Sequence, residues 1–161
     1  MRLEAWALIA AGGLLVTSSA SSQQPTYPPE VQAVLDWSRR ECRDQGGSDI
    51  VLPKDAVRKI DLTGDKRDDY IVSMDEVECA GSQSVFCGTG GCNLTILVAL
   101  KNGTYRTVFD DRVRSFEISK GPGARTIRFD LHGSYCGGFG AQPCPKKRRI
   151  TAKPFKFVMP Q

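Results

Sequence analysis

Apolar residues recur at helical spacing in one stretch of this chain. Val31, Val34, Leu35 and Cys42 share a face, with Ser38 between them on the same stripe, which predicts an amphipathic helix. Pro29 opens it, where a missing N–H costs nothing, and Gly46-Gly47 ends it. Glu30 near its start and Arg39 and Arg40 near its end suit the helix dipole, and Trp37 is expected at its edge. Beyond residue 50 the period switches to two. Ala56–Leu62, Tyr70–Met74, Asn93–Leu100, Tyr105–Phe109, Val113–Ile118, Thr126–Leu131 and Phe155–Val158 are short, rich in branched and aromatic residues, and read as strands. Leu94 to Leu100 is apolar at nearly every position, as befits a central strand covered on both faces. In Thr126–Leu131 the side chains of Ile127, Phe129 and Leu131 face one way, and those of Arg128 and Asp130 the other. Asn102-Gly103 marks a tight hairpin and Gly121-Pro122-Gly123 another turn. The expected architecture is α+β: one N-terminal helix packed on an antiparallel sheet, in a single domain over residues 30–161.

The first twenty residues follow neither period. Arg2 gives a positive start, Ala5 to Val16 is apolar, and Thr17 to Ser22 is small and polar, which reads as a secretory signal peptide over residues 1–20. Ser18 and Ala20 place cleavage after Ala20, with Ser22 as the second choice. The apolar run falls short of the roughly 20 residues of a spanning helix, so no transmembrane span is expected after cleavage. Glu4 weakens the charged end and keeps an uncleaved anchor as the alternative. Residues 21–29 hold three prolines and form a flexible leader. The implied location is periplasmic or secreted.

Composition narrows the function. A chain of 161 residues with 25% charged and 40% hydrophobic residues is neither wholly disordered nor polytopic. Its 22 basic residues are largely offset by 18 acidic ones, which argues against a dedicated nucleic-acid binder. A single histidine removes most imidazole-based metal and acid–base sites. The cysteines Cys42, Cys79, Cys87, Cys92, Cys136 and Cys144 all follow the signal segment, and an even number in an exported chain implies disulfides. Fifteen connectivities are possible for six cysteines. Local closure favours Cys87–Cys92 and Cys136–Cys144, leaving Cys42 for Cys79. A zinc site is the rival, although these spacings lie outside the usual knuckles.

The sharpest motif is Asp61-Leu62-Thr63-Gly64-Asp65-Lys66-Arg67-Asp68-Asp69-Tyr70. Oxygen-bearing side chains at Asp61, Thr63, Asp65 and Asp69 occupy alternate positions of a loop, a pattern that suits a hard cation. The stretch resembles the aspartate-rich loop of FG-GAP and VCBS-type repeats, Asp-x-Asn-Gly-Asp-Gly-x-x-Asp before an apolar strand. That resemblance implies calcium held by Asp61, Thr63, Asp65 and Asp69, with the Arg67 carbonyl as a further donor. Lys66 departs from the family's glycine and Thr63 from its Asn or Asp. Val72 stands where an EF-hand needs its bidentate Glu, so that motif is excluded. The plainer reading is a polar turn capping two strands.

Two glycine-rich stretches, Phe86–Cys92 and Tyr135–Cys144, either cradle an anion or turn tightly around a bridge. Together with the aspartate loop they resemble small exported bacterial proteins of uncharacterised function, over Ile60 to Cys144. That resemblance implies location and fold but no activity. Paired cysteines supply no thiolate, and a Ser134/His132/Asp130 triad lacks room because Ser134 is too close in sequence to be presented freely. Asp68, Asp69, Asp75, Glu76 and Glu78 form an acidic cluster, open to acid–base work or to simple solvation. Lys146-Lys147-Arg148-Arg149, with Lys153 and Lys156, makes the C-terminal segment basic. It could meet anionic envelope polymers, lipid headgroups or the chain's own acidic edge, or form a solvated edge strand. The functional expectation is a small exported, non-catalytic binding or envelope-associated domain, with an unknown protein or an anionic envelope polymer as partner. The alternatives are a periplasmic hydrolase using the acidic cluster and a protein inhibitor of a cell-wall hydrolase.

Overall fold

The computed structural model describes residues 26–160 apart from Lys120 and Ala141; the expected signal peptide over residues 1–20 and residues 21–25 lie outside the described residues. Helix α1 (Pro29–Asp44) precedes ten strands: β1 (Ile50–Val51), β2 (Val57–Ile60), β3 (Asp69–Ser73), β4 (Glu78–Cys79), β5 (Cys87–Gly88), β6 (Gly91–Ala99), β7 (Tyr105–Val113), β8 (Ser115–Ile118), β9 (Thr126–Leu131) and β10 (Cys144–Arg149). Every strand pairing is antiparallel. Five strands form one sheet in the order β2-β3-β6-β5 with β7 on β6, three form another in the order β10-β9-β8, and β1 pairs β4.

Strand alternation sets three layers. On β3, Tyr70 and Val72 point to the helix side, where they join Val31, Leu35, Cys42, Met74 and Leu97 in one core. Ile71 points the other way and joins Leu94, Ile96, Val98, Phe109, Ile127, Phe129 and Leu131 between the two sheets. The five-stranded sheet is therefore covered twice, which is why β6 is apolar on both faces. Ser38 on the helix is fully buried and donates to the Val34 carbonyl at 3.0 Å, a bond that satisfies the one polar residue of the stripe. Among the described residues no helix is long and apolar enough to cross a membrane.

The structure differs from the sequence expectation in several places, among them the short strands β1, β4 and β5, which the sequence pattern does not predict. Strand β7 runs on to Val113, because Asp110, Asp111 and Arg112 continue the ladder opposite Asn93–Thr95 despite their polarity. A bulge between Ile96 and Leu97 gives β7 an extra residue, so that the consecutive Val108 and Phe109 are both buried. The Phe155–Val158 stretch is extended but unpaired as a strand: one bond, from the Phe155 N–H to the Val108 carbonyl at 2.8 Å, anchors it. Its two phenylalanines pack on Phe109 and Phe129 with ring centroids 5.1 to 6.1 Å apart, which accounts for its hydrophobic pattern. The strand that does form there is β10, whose run of four cations hides it from a periodicity search.

All six cysteines are paired, as Cys42–Cys79, Cys87–Cys92 and Cys136–Cys144. The first ties α1 to β4. The second closes the β5–β6 hairpin, whose Gly91 has φ +98° and would place a Cβ 2.0 Å from the Val113 carbonyl oxygen. Glycine is required there by both the backbone and the neighbour. The third joins the 3₁₀ turn Gly133–Cys136 to the start of β10. Both glycine-rich stretches thus turn tightly around a bridge.

Candidate binding site at the aspartate loop and the basic sheet edge

The loop between β2 and β3 is closed by its own carboxylates. Asp69 opens β3 and is 0% exposed. Its Oδ2 accepts the Leu62 and Thr63 N–H groups at 2.7 and 3.1 Å, while its Oδ1 accepts that of Ala99 at 2.8 Å. One side chain thereby fastens both the loop and the end of β6. Burial pushes the Asp69 carboxyl above its ordinary value, and these three N–H groups pull against that shift without cancelling it. Asp61 spans the turn itself, accepting the Gly64 N–H at 2.6 Å and the Lys66 N–H at 2.9 Å. Burial raises its pKa, but the backbone donors outweigh it and hold the carboxyl below its usual range. Asp65 accepts the Arg67 N–H at 2.9 Å and also pairs with the Arg67 guanidinium. Gly64 has φ +78° and would place a Cβ 2.3 Å from the Ala124 nitrogen, so a side chain there would push the loop off the β8–β9 turn.

This geometry bears on the calcium expectation. Asp61, Asp65 and Asp69 are each turned onto the loop's own backbone donors, and the Arg67 guanidinium occupies Asp65. Only the Thr63 hydroxyl of the expected set is buried without a hydrogen-bond partner. Among the described residues no group of three or more His, Cys, Asp or Glu side chains is gathered closely enough to hold a metal ion. As folded, a calcium ion at this loop would have to displace a guanidinium and several N–H groups from these carboxylates.

The other candidates separate in space. Asp68 pairs with Lys59 at 2.8 Å, Asp69 is buried, Asp75 accepts the Ser73 hydroxyl at 2.8 Å, and Glu78 is exposed on β4. Asp75 and Glu76 do line one cleft, together with Asp55, Arg58 and Arg114. His132 Nδ1 lies 2.8 Å from the Ser134 hydroxyl, closer than the sequence spacing suggested. The contact is a cap: the same Nδ1 receives the Ser134 N–H at the start of the 3₁₀ turn. Asp130 is engaged elsewhere, accepting the Cys144 N–H at 3.1 Å and facing Arg114 at 3.7 Å. No triad forms.

The basic segment acquires a definite geometry. Strand β10 is an edge, so Lys147 stands directly opposite Arg128 of β9, and Arg149 opposite Thr126. These side chains lie on the face away from the buried Ile127, Phe129 and Leu131, and Arg128, Lys147 and Arg149 are all exposed. Like charges set opposite each other across a ladder cost stability. The one compensating carboxylate among the described residues is Glu117 of β8, 3.4 Å from Arg128. Arg148 points to the other side, where its guanidinium carbon lies 5.3 Å from the centroid of the Phe155 ring in a cation–π contact. Sequence reading found Lys147 and Arg149 as members of a charge run but not Arg128, because the pairing of β9 with β10 is invisible without the register.

Comparison with known proteins gives no further guide, since no family model, curated protein or solved structure matches this chain.

Proposed function

We propose that this chain is an exported, disulfide-stapled, non-catalytic binding domain that takes an anionic envelope polymer on the outer face of its three-stranded sheet. The observation that carries the reading is the Lys147–Arg128 pair, two cations held opposite each other on an exposed edge with Arg149 beside them. An arrangement unfavourable to folding is favourable to a polyanion, which relieves the repulsion on binding. Pairing of all six cysteines accords with an oxidising compartment.

The test is retention on immobilised dextran sulfate across a salt gradient. The oxidised protein should bind at low salt and elute as screening sets in. The double variant Arg128→Gln/Lys147→Gln should bind about tenfold more weakly, a difference of about 1.4 kcal/mol. Equal retention of the two proteins would remove this face from the interaction.

Calcium at the aspartate loop is the competing reading. Melting in millimolar calcium and in chelator should give midpoints within about 1 °C of each other. A ligand at 100 times its dissociation constant would instead add about 2.7 kcal/mol and raise the midpoint by roughly 5–10 °C. A rise of that size, lost in Asp65→Ala, would install the ion.

A further inference from the structure

Beside the aspartate loop lies a cleft of about 650 Å³, formed where the loop, the end of β6 and the chain leaving β10 come together. Arg67, Lys101 and Arg149 line it, with the hydroxyl-bearing Thr63 and Thr151. Asp65 is the one carboxylate among the lining residues, so three cations face a single anion. That anion is already paired with the Arg67 guanidinium. Lys101 and Arg149 have no ion-pair partner among the described residues.

Hydrogen bonding singles out the same place. Among the described residues, the buried side-chain nitrogen and oxygen atoms left without a partner are Thr63 Oγ1 and Arg67 Nε. Both residues line this cleft. A buried polar group left unmade costs free energy, so native structures satisfy such groups or use them. A hydroxyl can accept from a donor, coordinate a cation or donate to an anion. An Arg Nε–H can only donate. Both atoms are shut off from solvent within the cleft wall, so it is the excess of positive charge from Arg67, Lys101 and Arg149 over Asp65 that selects an anion over a cation.

We infer that this cleft binds a phosphate group, with Arg67, Lys101 and Arg149 supplying both the charge and the N–H donors. A carboxylate is matched by one guanidinium fork, whereas a phosphate presents several oxygens and up to two charges, in keeping with three cations. The volume exceeds that of a bare phosphate and leaves room for an attached alcohol or a chain. The inference rests on the reading of this chain as a binder of anionic envelope material, and names the chemical group it takes. Arg149 links the two surfaces, being opposite Thr126 at the end of the basic face and in the cleft wall.

The test is a thermal melt of the oxidised protein in 10 mM orthophosphate, roughly ten times an assumed millimolar dissociation constant, against sulfate and chloride at matched ionic strength. Phosphate should raise the midpoint by about 3–5 °C beyond either control. Lys101→Gln, at an exposed position, and Arg149→Gln should each remove most of that gain, while Arg128→Gln/Lys147→Gln should keep it. Glycerophosphate should act like orthophosphate if the source is a free or polymer-borne phosphate monoester. Binding seen only with phosphatidylglycerol vesicles, and lost in Lys101→Gln, would assign the group to a lipid headgroup. No phosphate-specific gain with any of the three probes, or a response that survives in both Lys101→Gln and Arg149→Gln, overturns the inference. The two readings fail separately: dextran sulfate retention without a phosphate response leaves the basic face standing and removes the cleft, and the converse removes the face.

Discussion

Replacing Cys42 and Cys79 together with alanine is expected to lower the midpoint of thermal unfolding by roughly 12–20 °C, more than removal of either other disulfide. The bridge joins residues 37 apart, against separations of 5 and 8 for the other two. In the chain-entropy account, a loop of that length confines the unfolded chain by about 4 kcal/mol, and the two short loops confine it by about 2 to 3 kcal/mol each. Packing adds to the difference. Cys42 is fully buried and Cys79 nearly so, and a Cβ on Gly47 would lie 2.2 Å from the Cys79 sulfur, so chain is folded closely over the bridge. The bridge is also the covalent link between α1 and the segment carrying β4. Calorimetry of the double variant against the oxidised parent measures the loss. A fall smaller than that caused by Cys136→Ala/Cys144→Ala would show that chain entropy is not what the long bridge supplies.

The second large effect is expected at Asp69. Substitution by alanine leaves the Leu62, Thr63 and Ala99 N–H groups without their acceptor in a place water does not reach. Each orphaned buried donor costs about 1–3 kcal/mol, so a total near 4 kcal/mol is expected after partial relaxation. Asp69→Asn should recover part of this, because an amide oxygen in the place of Oδ2 keeps the Leu62 and Thr63 bonds while the amide nitrogen opposes the Ala99 N–H. Stability should also depend on pH through this group. Its folded pKa is raised, so its contribution is fully present below the ordinary carboxyl value and declines as pH rises through the raised one. The gap in midpoint between parent and Asp69→Asn should therefore be wider at pH 5 than at pH 8. A gap that narrows on acidification would mean that the three N–H bonds, and not burial, dominate this carboxyl.

Asp69 also illustrates what the sequence could and could not convey. Its position in an aspartate-rich turn was legible, and the sequence offered it as a calcium ligand or as part of a polar turn capping two strands. Its partners were not, because Ala99 is 30 residues away and reaches it only once β3 and β6 are aligned. The helix was legible in full: the stripe Val31, Leu35, Ser38 and Cys42 is its buried face. The central position of β6 followed from its unbroken apolar run. What stayed hidden was the division into two sheets. The chain crosses from one to the other at Arg114, between β7 and β8, with no glycine or proline to mark the place. The cleft was hidden for a similar reason, since Arg67, Lys101 and Arg149 are brought together by pairings distant in sequence. Lys101 drew no notice beside a hairpin turn, where lysine is common.

The order in which the six cysteines pair has a consequence for biogenesis. Counted from the N-terminus, the first pairs with the second, the third with the fourth and the fifth with the sixth. No bridge encloses or interleaves with another. A chain threaded into an oxidising compartment N-terminus first therefore meets each correct partner as the next cysteine to arrive. An oxidase that joins consecutive thiols as they emerge makes the native set directly, with no wrong bridge to reshuffle and no need of an isomerase. The topology of the staples is thus one that vectorial delivery would favour.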